Sequence, residues 1–273
     1  MKSLKHIRVA ISLVMLLEGC MWVIFGVSAP KHTCVVPMVQ IVPSMFGATL
    51  GAGLFWLLAT FILGRVYCSS VCPIGTVQDC VIRLHRFAVG NKRRLFYHKP
   101  TTRLRYWTLC VYVVLMVAGI GFIPLMLEPW PVFVNWLGTL FGGGLHPKLE
   151  YLGAGAIMGL VCAIVSAMVV VVYSLLRGRD FCNDICPLGI VLRGVGSRAA
   201  VHIELDPDRC TGCLKCEDVC KASCIDIKGR MVDNGRCVRC FNCINVCEDD
   251  AIHYTVDRNG VLTGLFQRQT SVD

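Results

Sequence analysis

The sequence predicts an α-helical membrane protein, with four transmembrane helices arranged as two repeated hairpins, followed by a small α+β domain rich in cysteine. Three observations predict it: a mean hydropathy of +0.61 with only 16% charged residues, four apolar stretches of spanning length, and eighteen cysteines gathered in tight clusters. A chain this apolar lies outside the range of ordinary soluble domains. Secreted disulfide frameworks belong to short chains lacking a core. Clusters at metal-ligand spacing therefore point to metal ligation in a reducing compartment.

The apolar stretches are 7–27, 44–64, 106–127 and 151–176. Each is long enough, because about 20 residues at 1.5 Å rise cover a hydrocarbon core roughly 30 Å thick. Val27-Ser28-Ala29 would also suit cleavage of a signal peptide, but the length of the first stretch favours a retained span. Residues 1–199 carry 18 Lys/Arg against 6 Asp/Glu, and residues 200–273 carry 9 against 12. The basic residues flank the spans and form no basic domain, which argues against nucleic acid as a partner. Lys2, Lys5 and Arg8 precede the first span, and nine basic residues from Arg65 to Arg105 lie between the second and third. The loops at 28–43 and 128–150 hold only Lys31 and Lys148. By the positive-inside bias, both termini, the central loop and the tail face the cytoplasm, in a multi-pass protein of the cytoplasmic membrane.

The hairpins repeat. A shift of 114 residues superposes Gly64, Arg65, Tyr67, Cys68, Cys72, Pro73 and Gly75 on Gly178, Arg179, Phe181, Cys182, Cys186, Pro187 and Gly189. Duplicated helix pairs commonly pack about a pseudo-symmetry axis with the site at their interface, which would bring both Cys-x3-Cys-Pro motifs together at the cytoplasmic face. Gly47-x3-Gly51 and Gly155-x3-Gly159 have the spacing of close helix approach, although glycine is frequent in membrane helices generally. The organisation is thus 1–105, the first hairpin with its motif and a basic loop; 106–199, the second; 200–258, the cysteine-rich domain; and 259–273, a tail.

Cys210-x2-Cys213-x2-Cys216-x3-Cys220 and Cys237-x2-Cys240-x2-Cys243-x3-Cys247 have the spacing of a two-cluster bacterial ferredoxin. Three thiolates on a tight loop reach three corners of a cubane, and the fourth cysteine of each run serves the other cluster. Cys210, Cys213, Cys216 and Cys247 are expected to hold one [4Fe-4S] cluster, and Cys220, Cys237, Cys240 and Cys243 a second. Lys221 and Glu248 stand where proline usually follows the fourth cysteine, but proline there ligates nothing. Structural zinc sites use four ligands in two pairs, unlike these runs. Cys224 is read as a small buried hydrophobe, with replacement of a ligand as the alternative. The motif cysteines Cys68, Cys72, Cys182 and Cys186 supply four more thiolates, the number a shared third [4Fe-4S] cluster needs. A redox dithiol, a soft-metal site such as Cu(I), and paired structural cysteines remain open.

Four spans, FCNDICPLG at 181–189 and VRCFNCINVCEDD at 238–250 resemble the NapH-type membrane ferredoxin family over nearly the whole chain. Over the membrane and ferredoxin parts the chain is also similar to NosR-type and CcoG-type proteins. The NapH-type resemblance implies a quinol dehydrogenase passing electrons to a respiratory, nitrate-reductase-like system through partner ferredoxins, cytochromes or reductase subunits. Rival readings are a metal-handling reductase and a redox-sensing anchor. Quinol oxidation needs a proton acceptor. Glu18 within the first span is one candidate, since its repeat equivalent, Val132, is uncharged; Glu128 and His146 in the second outward loop are others. His32, Glu150, Trp130 and Trp136 share these outward loops and also suit an ordinary interfacial belt. No nucleophile constellation, phosphate loop or haem-attachment motif is present.

Overall fold

The computed structural model describes residues 3–25, 50–89, 97–98, 102–120, 127–141 and 153–256. Helices form at all four expected positions: α1 (Ser3–Phe25), α2 (Leu50–Leu63), α5 (Thr102–Val117) and α7 (Gly153–Arg177). By length and composition α1 and α7 suffice to cross a membrane, whereas the described parts of α2 and α5 are shorter. Leu13, Val14 and Leu17 of α1, Leu58 and Phe61 of α2, and Val165 and Met168 of α7 are exposed. An apolar exterior on this scale marks a surface that something apolar covers.

The stretch expected to be helical over 106–127 stops at Val117, where Gly119 adopts φ 75° and turns the chain. Glu128 returns alongside α5, accepting a hydrogen bond from Tyr112 Oη. The loop expected after it is instead a helix, α6 (Pro129–Phe141). Proline suits a first helical position because it lacks the N–H that would be unsatisfied there. Buried Trp130, Val132 and Phe133 then hold α6 against α1 and α7, with Phe133 against Gly19 and Trp130 5.7 Å from Trp22 between ring centroids.

Each repeat continues into its motif. The first has a short helix, α3 (Val66–Ser70), then α4 (Pro73–Val89); the second has a single π turn (Phe181–Ile185), then α8 (Pro187–Gly196). Gly64 and Gly178, which end α2 and α7, both have positive φ, 81° and 67°. That left-handed residue is the usual helix terminator, and it favours glycine for lack of a Cβ. The packing is crossed: α2 lies on α8 and α7 on α4, while α1 packs on α3 and α4 as α5 packs on the π turn and α8. The two repeats therefore share one core.

The C-terminal domain contains β1 (Val201–Leu205), α9 (Lys215–Asp218), β2 (Ile225–Asp226), β3 (Met231–Val232), α10 (Asn242–Val246) and β4 (Ile252–Val256). Strand β1 pairs antiparallel with β4, Val201 opposite Val256 and Leu205 opposite Ile252, and β2 pairs with β3. The domain docks on the end of α2, whose last carbonyls have no intrahelical partner. Tyr254 Oη donates to the Leu63 carbonyl at 2.9 Å and Arg239 Nε to the same oxygen at 3.4 Å. The Arg179 N–H donates to the Lys221 carbonyl at 2.8 Å, joining the second motif to this domain.

Candidate functional site

The two Cys-Pro motifs share one backbone device. The Cys72 N–H reaches the Tyr67 carbonyl at 3.0 Å and the Cys186 N–H the Phe181 carbonyl at 2.9 Å, both five residues back. Such a widened turn sets each second cysteine apart from the helical path, and proline then starts a new helix. All four thiols are buried.

Two arginines at equivalent repeat positions cross between the motifs. Arg179 donates to the Cys68 carbonyl at 2.7 Å and to the Gly75 carbonyl at 2.7 Å, and Arg65 donates to the Cys182 carbonyl at 3.1 Å. Arg65 also donates to Asn183 Oδ1 and lies 3.8 Å from Cys68 Sγ. Both guanidinium groups are fully buried. Glycine is required beside them: a Cβ on Gly75 would lie 2.2 Å from the Cys68 carbonyl oxygen, and one on Gly189 1.9 Å from that of Cys182.

The electrostatics of the site favour an added group. Burial, then Cys182 and Cys68, push the Cys72 thiol well up; burial and Cys182 do the same to Cys186; burial pushes Cys182 up to about 11. Burial and neighbouring thiols thus oppose ionisation of Cys72, Cys182 and Cys186, a penalty that cationic iron bound by them would reverse. A cubane held by four thiolates is a net anion, and buried Arg65 and Arg179 supply opposite charge. Donors stand ready too, since Arg65 Nε, Gln78 Nε2 and Asn183 Nδ2 are buried without a partner. The Cys182 thiol donates to Gln78 Oε1 at 3.0 Å, and a rotated Gln78 amide would donate to a thiolate there instead. The residues fit a [4Fe-4S] cluster.

In the C-terminal domain, Cys220, Cys237, Cys240 and Cys243 line one enclosed cavity together with Cys224, Ile203 and Phe241. Cys210 and Cys213 neighbour Cys216, whose thiol burial pushes up to about 12. Thr211 Oγ1 to Asp249 at 2.7 Å and Lys215 to Glu248 at 2.8 Å tie that loop to the segment around Cys247. The two ligand loops match in backbone: Gly212 and Leu214 have φ 72° and 63°, Arg239 and Phe241 55° and 59°. Left-handed residues at these points turn backbone N–H groups inward, which suits an anionic cluster.

Cys224 is more than packing. Its Sγ lies 3.5 Å from that of Cys220, and it also hydrogen-bonds Cys237. Those bonds hold Cys220 low and Cys237 down at about 6 while raising Cys224 itself, so Cys224 keeps the proton and donates.

Of the proposed proton acceptors, Glu18 is half-buried on α1. Glu128 is buried, with Oε1 taken by Tyr112 and Oε2 without a partner among the described residues. His146, His32 and Glu150 lie outside the described residues. Asp79 emerges as a hub: Arg8 at 2.9 Å, Arg179 at 2.7 Å and Lys221 at 3.0 Å bind it, linking α1, the second motif and the C-terminal domain. Its signal in the sequence is that it is the sole acid between Glu18 and Glu128.

These thiol sets define an iron–sulfur protein of the 4Fe-4S class, and comparison with known proteins agrees. The family model for a 4Fe-4S binding domain matches residues 45–92 and 160–203, the segments that hold the two Cys-Pro motifs. The ferredoxin-type protein NapH of Haemophilus influenzae is 27% identical over 173 residues, 63% of this chain and 52% of that protein. The methylamine utilization ferredoxin-type protein MauN of Paracoccus denitrificans is 31% identical over 65% of this chain and 54% of its own, and the putative electron transport protein YccM of Escherichia coli 22% identical over 65% and 47%. The chain is therefore similar to the NapH-type family, as its motifs indicate. It spans about half the length of these relatives, and no solved structure matches it.

Proposed function

We propose that the chain is a membrane-bound electron-transfer protein that oxidises quinol and delivers the electrons to a respiratory, nitrate-reductase-like partner system, with three [4Fe-4S] clusters as the groups that would carry them. The observation that supports this reading is the crossed pair Arg65 and Arg179, each bonded to a carbonyl of the other repeat's motif, where four buried cysteines would share one anion-accepting site beside a ferredoxin-like domain. Cys68, Cys72, Cys182 and Cys186 would hold the third cluster, and the ferredoxin sets named above the other two. A [4Fe-4S] group supplies one-electron transfer at a potential set by its surroundings.

The chain's own residues supply the rest. Glu128 Oε2, buried and without a partner, is the favoured proton acceptor for a quinol hydroxyl, with Tyr112 fixing the carboxyl's orientation through Oε1. A buried carboxyl oxygen without a partner is costly to keep, and such groups cluster at functional sites. The NapH and MauN names support a redox partner in general, and a nitrate-reductase-like system is the specific proposal.

The test is iron and acid-labile sulfide per chain, with quinol-dependent bleaching of the purified protein. About twelve irons supports three clusters, and about eight leaves the Cys-Pro site without one. If all clusters form and no quinol analogue reduces them, quinol oxidation is wrong.

A further inference from the structure

Lys5 of α1, Arg83 and Arg86 of α4, and Lys221 line a cleft of about 200 Å³, with Ile82, Val219, Asn242 and Val246 as its remaining wall. No acidic side chain lines it. Lys221 is committed to Asp79 and Arg86 to the Asp218 carbonyl at 2.6 Å, but among the described residues neither Lys5 nor Arg83 has an ion pair. Lys5, Arg83 and Arg86 meet with no carboxylate lining the cleft among the described residues, and like charges repel, so the cleft suits an anion.

The surroundings say which kind. On α4 the residues Leu84 and Phe87 are 69% and 88% exposed, and they sit beside Arg83 and Arg86 on the same helix. A helix with outward apolar side chains flanked by basic ones lies in the membrane interface. Lys5 sits in the first turns of α1, which continues as an apolar span. The cleft thus opens where a span begins and an interfacial helix runs.

We propose that this cleft binds the phosphate headgroup of an anionic lipid, with Lys5 and Arg83 as its free cations and Leu84 and Phe87 against the acyl chains. The proposal rests on the membrane reading above. Val219 and Asn242 adjoin the ligands Cys220 and Cys243, so the bound headgroup touches the wall of the ferredoxin-like domain and fastens it to the bilayer.

The experiment uses the full purified chain with its clusters, reconstituted into vesicles of phosphatidylcholine alone or with phosphatidylglycerol, and scores lipid retained after detergent extraction. Wild type is expected to retain phosphatidylglycerol selectively, and the Lys5→Gln, Arg83→Gln double variant to bind it about thirty-fold more weakly, at about tenfold per 1.4 kcal/mol and about 1 kcal/mol per basic contact. Arg83→Lys should bind like wild type, which separates lost charge from misfolding. Displacement of the lipid by millimolar inorganic phosphate would make this a free-phosphate site and overturn the lipid assignment. Insertion into both vesicle types with no headgroup preference overturns the inference and leaves the membrane reading intact; failure to insert into either overturns both.

Discussion

Replacing Asp79 by asparagine should be the most damaging single change outside the cysteines. The Asp79 carboxylate is only 10% exposed and neutralises Arg8, Arg179 and Lys221, so asparagine keeps the shape while leaving three enclosed cations without an anion. Removing one partner of a buried pair costs about 3–5 kcal/mol, because the charge left behind remains desolvated. That is a large share of the roughly 5–15 kcal/mol by which a domain is stable. Arg179 also braces the Cys68 and Gly75 carbonyls, so its displacement should loosen the first motif as well. The assay is denaturant unfolding of the detergent-solubilised protein, with iron retention read in parallel. The pH dependence carries a second check. Burial opposes ionisation of Asp79, but Arg179, then Lys221 and Arg8, hold its carboxyl well below the usual carboxylate range. A depressed pKa means the stabilisation is fully present above the ordinary value near 4 and is lost as pH falls below it, towards the folded value. Wild type and Asp79→Asn should therefore differ by a constant amount at neutral pH and converge in acid. A difference within about 0.5 kcal/mol at pH 7, the range of an unremarkable surface change, would refute the reasoning.

Three further predictions follow from the site. Glu128→Gln should slow quinol-dependent reduction about a hundredfold or more, the usual scale for a lost general base, while dithionite still reduces every cluster; a rate within twofold of wild type removes Glu128 from the proposal. Cys224→Ala should leave iron content unchanged and lower one ferredoxin-cluster potential, because it removes the S–H donor 3.5 Å from Cys220; a bond of about 1 kcal/mol corresponds to about 40 mV for one electron in an EPR-monitored titration. Gly189→Ala should lower the unfolding midpoint and deplete iron, since its Cβ would fall 1.9 Å from a backbone oxygen; Gly51→Ala, which meets nothing within 4 Å, serves as the control. Overpacking of this kind costs about 1–3 kcal/mol.

What could be read from the sequence was what short spacing encodes. The ferredoxin runs are local: three cysteines two apart define a loop whatever the rest of the chain does, and the structure gives Gly212-to-Leu214 and Arg239-to-Phe241 the same left-handed turns. The offset of 114 residues was equally visible, and with it Arg65 and Arg179 as equivalents. Their role was not, because each arginine acts on the other repeat's motif, and no spacing within one repeat encodes a contact across an axis. Asp79 escaped for a similar reason, since its three partners come from positions 71, 100 and 142 residues away. Hydropathy also misread residues 106–141. It averages over side chains and is blind to φ, so it continued a helix through Gly119, where α5 has ended, and gave no sign of α6 or of Glu128's return to Tyr112.

That return bears on how the two repeats divide their labour. In the second repeat α6 lies between α5 and α7 and buries Trp130 and Phe133 against α1. The cysteines, arginines and glycines of the motifs obey the pseudo-symmetry, as residues that jointly held one central group would. Glu128 and Tyr112 break it, since the residue 114 positions before Glu128 is the uncharged Val14. A symmetric cage would present two equal faces to a substrate. On the proposed reading, Glu128 would give one face alone a proton acceptor, while the ferredoxin-like domain docks through Arg179, Lys221 and Leu63. On the proposed reading, symmetry would build the holder, and its local breakage would give electron flow an entrance distinct from its exit.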